Sequence, residues 1–311
     1  MVRMTSSFLL PLIFLSAFTV FGQQNQSPDM RPSDSVSPSE LKPDGNGSLS
    51  NEQMQQLFRI VAAKDMENDK RLRDYTYTER AEEHRLDGKG QVKSTEVKTY
   101  EMMELYGAQV QRLVGKNDKP LDPKDAAKEE EKIQKLVDKR KNESENDRRK
   151  REEKEEKDRE HDRQFVREVA DAYNFHLTGT ESLSGREAWV IDAQPRPGYE
   201  PHVKEARFLP KFRFRAWIDQ TDDQWVKLDI ECIDTVSVGL FLARIYKGSR
   251  IMIEQTQVND EVWLPSRVQL KVDVRLALLK DFKVEQEQTF RDYKKFRTST
   301  RIVGTSEIQP K

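Results

Sequence analysis

The chain has 311 residues, of which 54 are Lys or Arg and 55 are Asp or Glu, so its formal net charge at pH 7 is −1. Charged and apolar residues each make up 35% of the chain, whereas soluble domains average about 25% charged and about 45–50% apolar residues. Part of the chain is therefore expected to lie outside any hydrophobic core. The balanced charge argues against a nucleic-acid-binding protein, and the single cysteine, Cys232, excludes a disulfide framework or a multi-cysteine metal site.

The N-terminal segment predicts export from the cytoplasm. An apolar run over residues 8–21 follows a short region that carries Arg3, and Val20-Phe21-Gly22 ends it with a small-x-small pattern. This arrangement is typical of a signal peptide, cleaved near Gly22. A retained anchor is the alternative, but the run is shorter than the about 20 apolar residues of a membrane span. The mature chain is therefore expected to be soluble, periplasmic or secreted, and without a transmembrane span.

Composition divides the mature chain into a linker, a domain and a tail. Residues 23–49 are rich in Gln, Ser, Pro, Asp and Gly and are expected to be a disordered linker. Residues 50–304 are expected to form one β-sheet domain, and residues 305–311 a tail. At the start of the domain, Ser50-Asn51-Glu52-Gln53 predicts a capped helix, and the apolar residues that follow recur at helical spacing: Met54, Leu57, Phe58, Val61 and Ala62.

A charged helical insertion is predicted at residues 122–172. No residue between Asp138 and Gln164 is apolar, and Lys, Arg and Glu are good helix formers. One long helix is expected here, because a helix that is polar on every side projects into solvent or bridges two parts. Residues 122–164 are interpreted either as a solvated insertion or as an arm that docks a protein partner of the envelope. Acidic and basic residues interleave and cancel, so nucleic-acid binding is not expected.

The remaining segments alternate between apolar and polar residues. The alternation is clear in Phe212–Ile218, Val226–Cys232 and Val268–Leu276. A period of two indicates antiparallel strands with one buried and one exposed face. The sequence therefore predicts an α+β fold, in which a large curved antiparallel sheet, an unclosed barrel, is covered by helices. Such a fold can leave an apolar cavity between the sheet and the helices.

Two groups of residues are candidates for binding. The first is expected to face the interior or its rim, and it holds the candidate ligand-binding residues Phe212, Phe214, Trp217, Leu228, Ile230, Val272 and Val274. A one-residue error in register would reverse their sides. The second is a basic cluster interleaved with phenylalanines, made of Lys204, Arg207, Lys211, Arg213 and Arg215. It is either the exposed face of an amphipathic strand or a cationic rim that meets phosphate head groups.

No catalytic or metal-binding signature is found in the sequence. It contains no G-x-S-x-G elbow, G-x-G-x-x-G fingerprint, phosphate-binding loop or H-E-x-x-H motif. Asp222-Asp223 is explained by turn chemistry, and Cys232 is expected to be a small buried residue. A metal site needs three or four convergent ligands, so solvated side chains are expected for His84, His161, His176 and His202. No catalytic residue, metal or cofactor is predicted.

The order of these motifs resembles a known superfamily. The motifs on which the resemblance rests are Ala216-Trp217-Ile218-Asp219, Trp225-Val226-Lys227 and Asn259-Asp260-Glu261-Val262-Trp263-Leu264-Pro265. They resemble the periplasmic lipoprotein carriers of the LolA/LolB type, with their RseB-type and mycobacterial lipid-binding relatives, over residues 50–120 and 170–300. The resemblance implies an unclosed barrel with a helical lid that binds acyl chains, in a Gram-negative envelope. It carries no individual ligand residue over to this chain.

The charged insertion departs from the usual plan of that superfamily. More closely, the chain looks like exported proteins of Gram-negative soil bacteria that carry the same insertion. The insertion puts in doubt whether a cavity in this chain would have the same mouth as in the lipoprotein carriers.

Three functions compete at this point. The first is a non-catalytic carrier or binding protein that holds a lipid, a lipoprotein acyl chain or a similar amphiphile between sheet and helices. The second is an interaction or structural protein of the envelope, which uses the charged helix to dock a partner. The third is an enzyme, for which the sequence supplies no pairing of a nucleophile with a base.

Overall fold

A computed structural model describes residues 49–106, 108–238, 243–276 and 281–296. The predicted signal peptide at residues 1–22, residues 23–48 of the predicted linker and the predicted tail at 305–311 lie outside the described residues. The described part contains three α-helices and one 3₁₀ helix: α1 (Asn51–Leu72), α2 (Pro123–Lys141), α3 (Glu145–Ala172) and the 3₁₀ helix Lys204–Lys211.

The described strands form one sheet of thirteen members. They are β1 (Tyr75–Leu86), β2 (Val92–Leu105), β3 (Ala108–Lys116), β4 (Lys119–Pro120), β5 (Tyr173–Leu183), β6 (Arg186–Pro195), β7 (Phe212–Asp219), β8 (Gln224–Cys232), β9 (Val236–Val238), β10 (Ala243–Ile245), β11 (Arg250–Val258), β12 (Val262–Leu276) and β13 (Asp281–Lys295).

The sheet is antiparallel and does not close. Its order is β4-β3-β2-β1-β13-β12-β11-β8-β7-β6-β5, and β10 pairs with both β12 and β9. The first and last strands of this order, β4 and β5, form the two ends of the sheet. The predicted α+β fold with an unclosed antiparallel sheet and helices is therefore confirmed.

The hairpins follow from short turns that the sequence marks clearly. Two residues, Asn117 and Asp118, join β3 to β4, and both have positive φ angles, of 51° and 57°. This is the pattern of a type I′ turn, whose twist matches that of the flanking strands. Asn259 and Asp260, which follow β11, also have positive φ angles, of 54° and 53°. Asn and Asp tolerate this left-handed conformation better than other non-glycine residues, so the turn residues fix where the strands end.

The chain divides into two compact units. Unit 1 contains the described residues of 1–64, 144–251 and 271–283, and unit 2 contains those of 65–143, 252–270 and 284–311. Four elements contribute residues to both units, namely α1, β11, β12 and β13. Each unit therefore gathers segments that are far apart in the sequence. The predicted boundaries of a single domain at 50–304 stay a prediction.

Unit 1 has its core under the first half of α1. The predicted capping box is present, since Ser50 Oγ accepts from the Gln53 amide at 3.2 Å and Gln53 Oε1 accepts from the Ser50 amide at 2.8 Å. The predicted apolar stripe is buried, and Leu57 is 0% exposed. In α3, the last turns contribute Ala170 and Ala172 to the same core. The remaining buried members come from β5 to β7 and the 3₁₀ helix, which include Phe175, Trp189, Ile191, Leu209 and Ile218.

Unit 2 has a smaller apolar core. Tyr75 at the start of β1 packs with Val262 and Leu264 of β12, and Tyr293 lies against this group. The Tyr293 hydroxyl donates to the Pro265 carbonyl at 2.6 Å. On α2, Ile133 is buried. Unit 2 therefore combines a short apolar core with a long run of sheet whose buried positions are partly polar.

The expectation of one long helix in the insertion is wrong. The structure has two helices, which are separated by residues 142–144. Ser144 is the N-cap of α3, because its hydroxyl oxygen accepts from the Asp147 amide at 3.1 Å. The side chain of Asp122 caps α2 in the same way, at 2.8 Å from the Asp125 amide. A serine favours this capping geometry over a helix interior, which gives the break its physical reason.

Candidate functional site

The apolar face of unit 1 carries a cluster of aromatic rings. Phe58 of α1 stacks on Phe175 of β5, with their ring centroids 3.8 Å apart. Phe214 of β7 meets Phe58 edge-on at 6.1 Å and Tyr173 at 4.8 Å. Two candidate ligand-binding residues, Phe214 and Leu228, are half-buried and pack against this core. The helix α1 therefore lies on the same side of the sheet as these two candidates.

A second apolar cluster of unit 1 contains two more candidates. Val274 of β12 is buried with Cys232, Val236 and Ile245, and Phe212 packs against this group. Phe212 and Phe214 are two residues apart on β7 and therefore lie on the same face. Phe208 of the 3₁₀ helix also packs against the second cluster. The two clusters thus adjoin along β7 and form one apolar strip, which is called the apolar strip of unit 1 below.

Pairing across β7 and β8 places the other candidates. Residues that pair directly share a face, and Phe214 pairs with Ile230, so the half-buried Ile230 belongs to the apolar strip. Val272 is buried two residues before Val274 on β12. Its position gives it the same side of that strand as Val274. Six of the seven candidates therefore lie on the strand faces that form the two apolar clusters or that extend directly from them.

Trp217 is the candidate that lies elsewhere. It is buried, but its indole Nε1 donates to Glu181 Oε2 at 2.7 Å, and Lys227 Nζ lies 4.9 Å from its ring centroid. The register shifts between Trp217 and Ile218, so that Ile218 pairs with Trp225. This irregularity places Trp225, rather than Trp217, against the core of unit 1. Alternation along β7 assigns Trp217 to the face opposite Phe214 and Ile218, both of which belong to the core of unit 1 or pack against it. The bulge lies beyond Trp217 and adds a residue to β8, not to β7.

The basic cluster is paired with acidic residues. Arg215 Nε donates to Asp192 Oδ1 at 2.6 Å, and Arg213 Nη2 donates to Glu231 Oε2 at 2.7 Å. Lys211 forms an ion pair with Asp234. The two remaining members, Lys204 and Arg207, lie on the 3₁₀ helix, where the Arg207 guanidinium stands 4.6 Å from the Phe208 ring centroid.

The exposed face of this part of the sheet is a row of alternating charges. Register places Asp192 opposite Arg215, and Arg215 opposite Asp229, while Arg250 pairs with Asp229. The hydrogen bond from Arg215, followed by smaller charge effects, lowers the pKa of Asp192. The sequence could not show this row, because the acidic partners come from neighbouring strands whose register is set only by folding. The arrangement neutralises much of the predicted cationic rim.

The acidic turn after β7 is a structural feature. Asp219 is 1% exposed, and its carboxylate accepts from the Thr221 and Asp222 amides and from Arg186 Nε, the last at 2.6 Å. Burial alone would raise the pKa of Asp219, but these hydrogen bonds outweigh it and the pKa is lowered. Lys64 pairs with Asp223. Burial raises the pKa of Asp223, and the nearby Lys64 opposes this shift. Asp219 and its hydrogen bonds therefore shape the turn.

Cys232 is buried in the second apolar cluster, as the sequence predicts. Burial raises the pKa of the thiol to about 11, against a small lowering by its hydrogen bond to the Asp234 carbonyl. A thiol in this state is protonated at neutral pH and is a poor nucleophile. Its contribution is packing.

Two histidines lie beside glutamates, and the side chain of His202 is 80% exposed. His161 Nε2 lies 2.9 Å from Glu205 Oε2, and His202 Nδ1 lies 3.1 Å from Glu168 Oε1. Glu168 also accepts from the Tyr199 hydroxyl and from the His202 amide. These pairs join α3 to the segment that contains the 3₁₀ helix. Within the described residues, no group of three or more His, Cys, Asp or Glu is placed to hold a metal ion.

Unit 2 contains buried polar residues that the sequence analysis missed. Glu79 and Glu83 of β1, together with Gln286 and Gln288 of β13, are all buried. The sequence does contain a sign of this burial. Glu and Gln stand at alternating positions of β1 and β13, on strand faces that also carry tyrosines. No helix in the described part of the chain is both long enough and apolar enough to cross a bilayer.

Comparisons with known proteins give likenesses to solved structures alone. No protein-family model matches the chain, and no curated protein matches it either. A domain described as an outer membrane lipoprotein-sorting protein, from Vibrio parahaemolyticus, is 11% identical, with a TM-score of 0.31 and coverage of 78% of this chain and 95% of its own. A LolA superfamily protein from Nitrosomonas europaea is 8% identical, with a TM-score of 0.30 and coverage of 78% and 94%.

A complex provides the third likeness. The MucA/MucB structure from Pseudomonas aeruginosa matches at 10% identity and a TM-score of 0.21, with coverage of 76% of this chain and 94% of its own. Similarity at this level leaves ligand, partner and activity to be inferred from the residues of this chain.

Proposed function

We propose that the protein is a non-catalytic carrier or binding protein of the bacterial envelope, and that it holds an acyl chain of a lipid or lipoprotein along the apolar strip of unit 1. The observation that carries the proposal is the half-burial of Phe212, Phe214, Leu228 and Ile230 on one face of β7 and β8. Binding becomes more favourable by about 25 cal/mol for each Å² of apolar surface that a ligand removes from water at such positions.

The elements that cover the apolar strip could open to admit a ligand. α1 contacts it through side chains such as Phe58, and the 3₁₀ helix contacts it through Phe208. The 3₁₀ helix has poorer hydrogen-bond geometry than an α-helix. A segment of this kind can move aside at less cost than a strand within the sheet, so the chain of an amphiphile can enter between the 3₁₀ helix and β7.

One basic residue of the 3₁₀ helix, Arg207, completes the proposal. Three other members of the predicted cationic rim, Lys211, Arg213 and Arg215, have acidic partners. Arg207 stands over the Phe208 ring beside the second apolar cluster. An acidic or phosphate head group would meet the Arg207 guanidinium while its acyl chain meets Phe208 and Phe212.

The test is photolabelling of the full mature chain with a diazirine derivative of palmitic acid, followed by peptide mass spectrometry. Label is expected in the peptides of β7, β8 and the 3₁₀ helix. The variant Ile230→Gln should lose most of the label, because it places an amide in the strip. Val92→Gln is the matched control, since Val92 is the exposed first residue of β2. No saturable label, or equal loss in both variants, would contradict the proposal.

A protein partner docked on α3 is the second candidate. Its first half carries many exposed charged side chains, such as Arg148, Arg149 and Glu152, in the stretch before Phe165 packs against the core. Replacing these three residues by Gln should abolish capture of an envelope partner while palmitate labelling persists. Capture that survives the substitutions would exclude this face of α3 as the docking site.

A further inference from the structure

The inner side of unit 2 contains carboxylates and amides where apolar residues are usual. Glu79 and Glu83 are 8% and 7% exposed, and Gln286 and Gln288 are 7% and 9% exposed. Glutamate is almost never so deeply buried unless it is paired. These four residues, together with Gln111 of β3, are called the buried polar face of unit 2 below.

Glu79 lies at the centre of this face, and its hydrogen-bond partners within the described residues are amides. Gln111 Nε2 donates to Glu79 Oε2 at 3.1 Å, and Gln288 Nε2 donates to Glu79 Oε1 at 3.0 Å. Burial raises the pKa of Glu79, and the two amide hydrogen bonds lower it by less. A buried carboxylate without a cation is costly, so the face is one positive charge short.

The basic residues nearest in the strands are engaged with other glutamates. Arg85 Nε lies 2.8 Å from Glu83 Oε1. Lys98, which faces Ala81 across the β1–β2 pair, lies 2.8 Å from Glu96 Oε1. In the described part of the chain, the groups that act on the Glu79 carboxylate are the Gln111 and Gln288 amides.

The same face also has hydrogen-bond acceptors without donors. The carbonyl oxygens Gln286 Oε1 and Gln111 Oε1 are buried and have no partner among the described residues. Gln286 is two residues before Gln288 on β13, so both project from the same face. The unpartnered Gln286 oxygen is thus directed to the side on which Gln288 contacts Glu79. Leaving a buried acceptor without a donor is costly, and a ligand rich in N–H groups would remove that cost.

Aromatic rings border the carboxylate. Tyr100 faces Glu79 directly across the β1–β2 pair, and the pKa of its hydroxyl is raised by burial and then by nearby glutamates, Glu79 first among them. Tyr77 precedes Glu79 by two residues on the same face, and its ring centroid lies 5.1 Å from that of Tyr293 and 6.0 Å from that of Phe290. Ring faces attract cations, most strongly where water is excluded.

We propose that the buried polar face of unit 2 is a binding site for a primary ammonium group, in which Glu79 supplies the countercharge and the Gln111 and Gln286 carbonyl oxygens accept two further N–H bonds. A primary ammonium has three donors and no acceptor, which matches one carboxylate and two free carbonyl oxygens. The described residues offer no group of three His, Cys, Asp or Glu that would hold a metal ion. This site is independent of the acyl chain proposed for unit 1.

The ammonium could belong to a free amine or to the ethanolamine head group of a lipid, and the test separates these sources. Ethanolamine is titrated into the full mature chain by isothermal calorimetry at pH 7.5. Choline serves as a cation without N–H donors, and 1-propanol as an uncharged analogue. Vesicles that contain phosphatidylethanolamine are then compared with vesicles of phosphatidylcholine alone. Saturable binding of ethanolamine, at least tenfold tighter than that of choline and absent for propanol, is expected.

Three variants connect the binding to the named residues. Glu79→Gln should weaken ethanolamine binding at least tenfold, because it removes the countercharge. Gln286→Met removes one acceptor at nearly constant volume and should weaken binding several-fold. Glu287→Gln is the matched control, since Glu287 lies between Gln286 and Gln288 on the opposite face of β13, where it pairs with Arg267 at 2.6 Å, and it should bind as the parent chain does.

The outcomes decide the proposal. Binding of free ethanolamine, of ethanolamine vesicles or of both supports the site and identifies its source. The absence of saturable binding to either, as expected if the free acceptors only hold water, would overturn it. Equal binding of propanol, or equal loss in Glu79→Gln and Glu287→Gln, would overturn it as well. If Glu79→Gln does not fold, Gln286→Met against Glu287→Gln provides the same decision.

Discussion

The effect of Glu79 on the free energy of unfolding depends on pH. Its pKa is raised from 4.5 by burial, so the folded chain keeps the proton at pH values where the unfolded chain has lost it. The folded state is therefore favoured by this residue at low pH, and its free energy of unfolding falls as the pH rises through the raised pKa. The ionised carboxylate has only the Gln111 and Gln288 amides to stabilise it.

We expect Glu79→Gln to increase the free energy of unfolding at pH 7.5 by about 1 kcal/mol, because replacing a buried charge by a neutral group of similar shape is often stabilising. The difference should shrink towards zero as the pH approaches 4.5. Urea denaturation of both chains at the two pH values measures it. A variant that is less stable than the parent by the same amount at both values would show that the carboxylate is needed for folding.

At the residue scale, the sequence predicted whether a side chain is buried better than it predicted which residue that side chain contacts. Burial of Cys232 follows from its place on an apolar strand face, and Phe214 lies on the predicted face of β7. The partners of Arg215 and Arg250 could not be predicted, because Asp192 and Asp229 reach them only through strand register. The burial of Glu79 was missed for a related reason. A glutamate at a buried position follows the same alternation as an exposed one, and only its neighbours distinguish the two.

At the element scale, the strands and the first helix were largely predictable. The turn residues Asn259 and Asp260 mark the end of β11, and the capping box at Ser50 marks the start of α1. What escaped prediction are local interruptions. A bulge between β7 and β8 places Trp225 against the core of unit 1, and a cap divides the charged insertion into two helices. The bulge and the cap each depend on a single residue, and neither changes the pattern of apolar and polar residues around it.

The division of the insertion gives an element-scale prediction. Ser144→Ala removes the hydroxyl that accepts from the Asp147 amide and should reduce the stability of α3 by about 1 kcal/mol. Hydrogen exchange of amides in the first turns of α3 should speed up by about fivefold, as follows from that free energy. Ser144→Asp keeps an acceptor and serves as the control. Unchanged exchange in the alanine variant would mean that the Ser144 hydroxyl does not stabilise the start of α3.

At the scale of the whole molecule, the two units are not contiguous in sequence. Unit 1 joins α1 to residues after 143, and unit 2 takes strands from both halves of the chain. No composition shift or linker marks this division, because it follows from the order in which strands pair. A sequence pattern reports the side of each strand but not its neighbours, so the fold class was predictable and the division was not.

The elements shared between the units predict cooperative unfolding. α1, β11, β12 and β13 each contribute residues to both units, and a helix or strand that loses its hydrogen bonds in one half becomes unstable in the other. Leu57→Ala creates a cavity at a residue with 0% exposure in unit 1 and should cost about 2–5 kcal/mol. Hydrogen exchange by mass spectrometry should then show equal acceleration for the slowest amides of β6 in unit 1 and of β1 in unit 2. Acceleration confined to β6 would show instead that the units unfold separately, in which case a ligand bound to unit 1 could not stabilise unit 2.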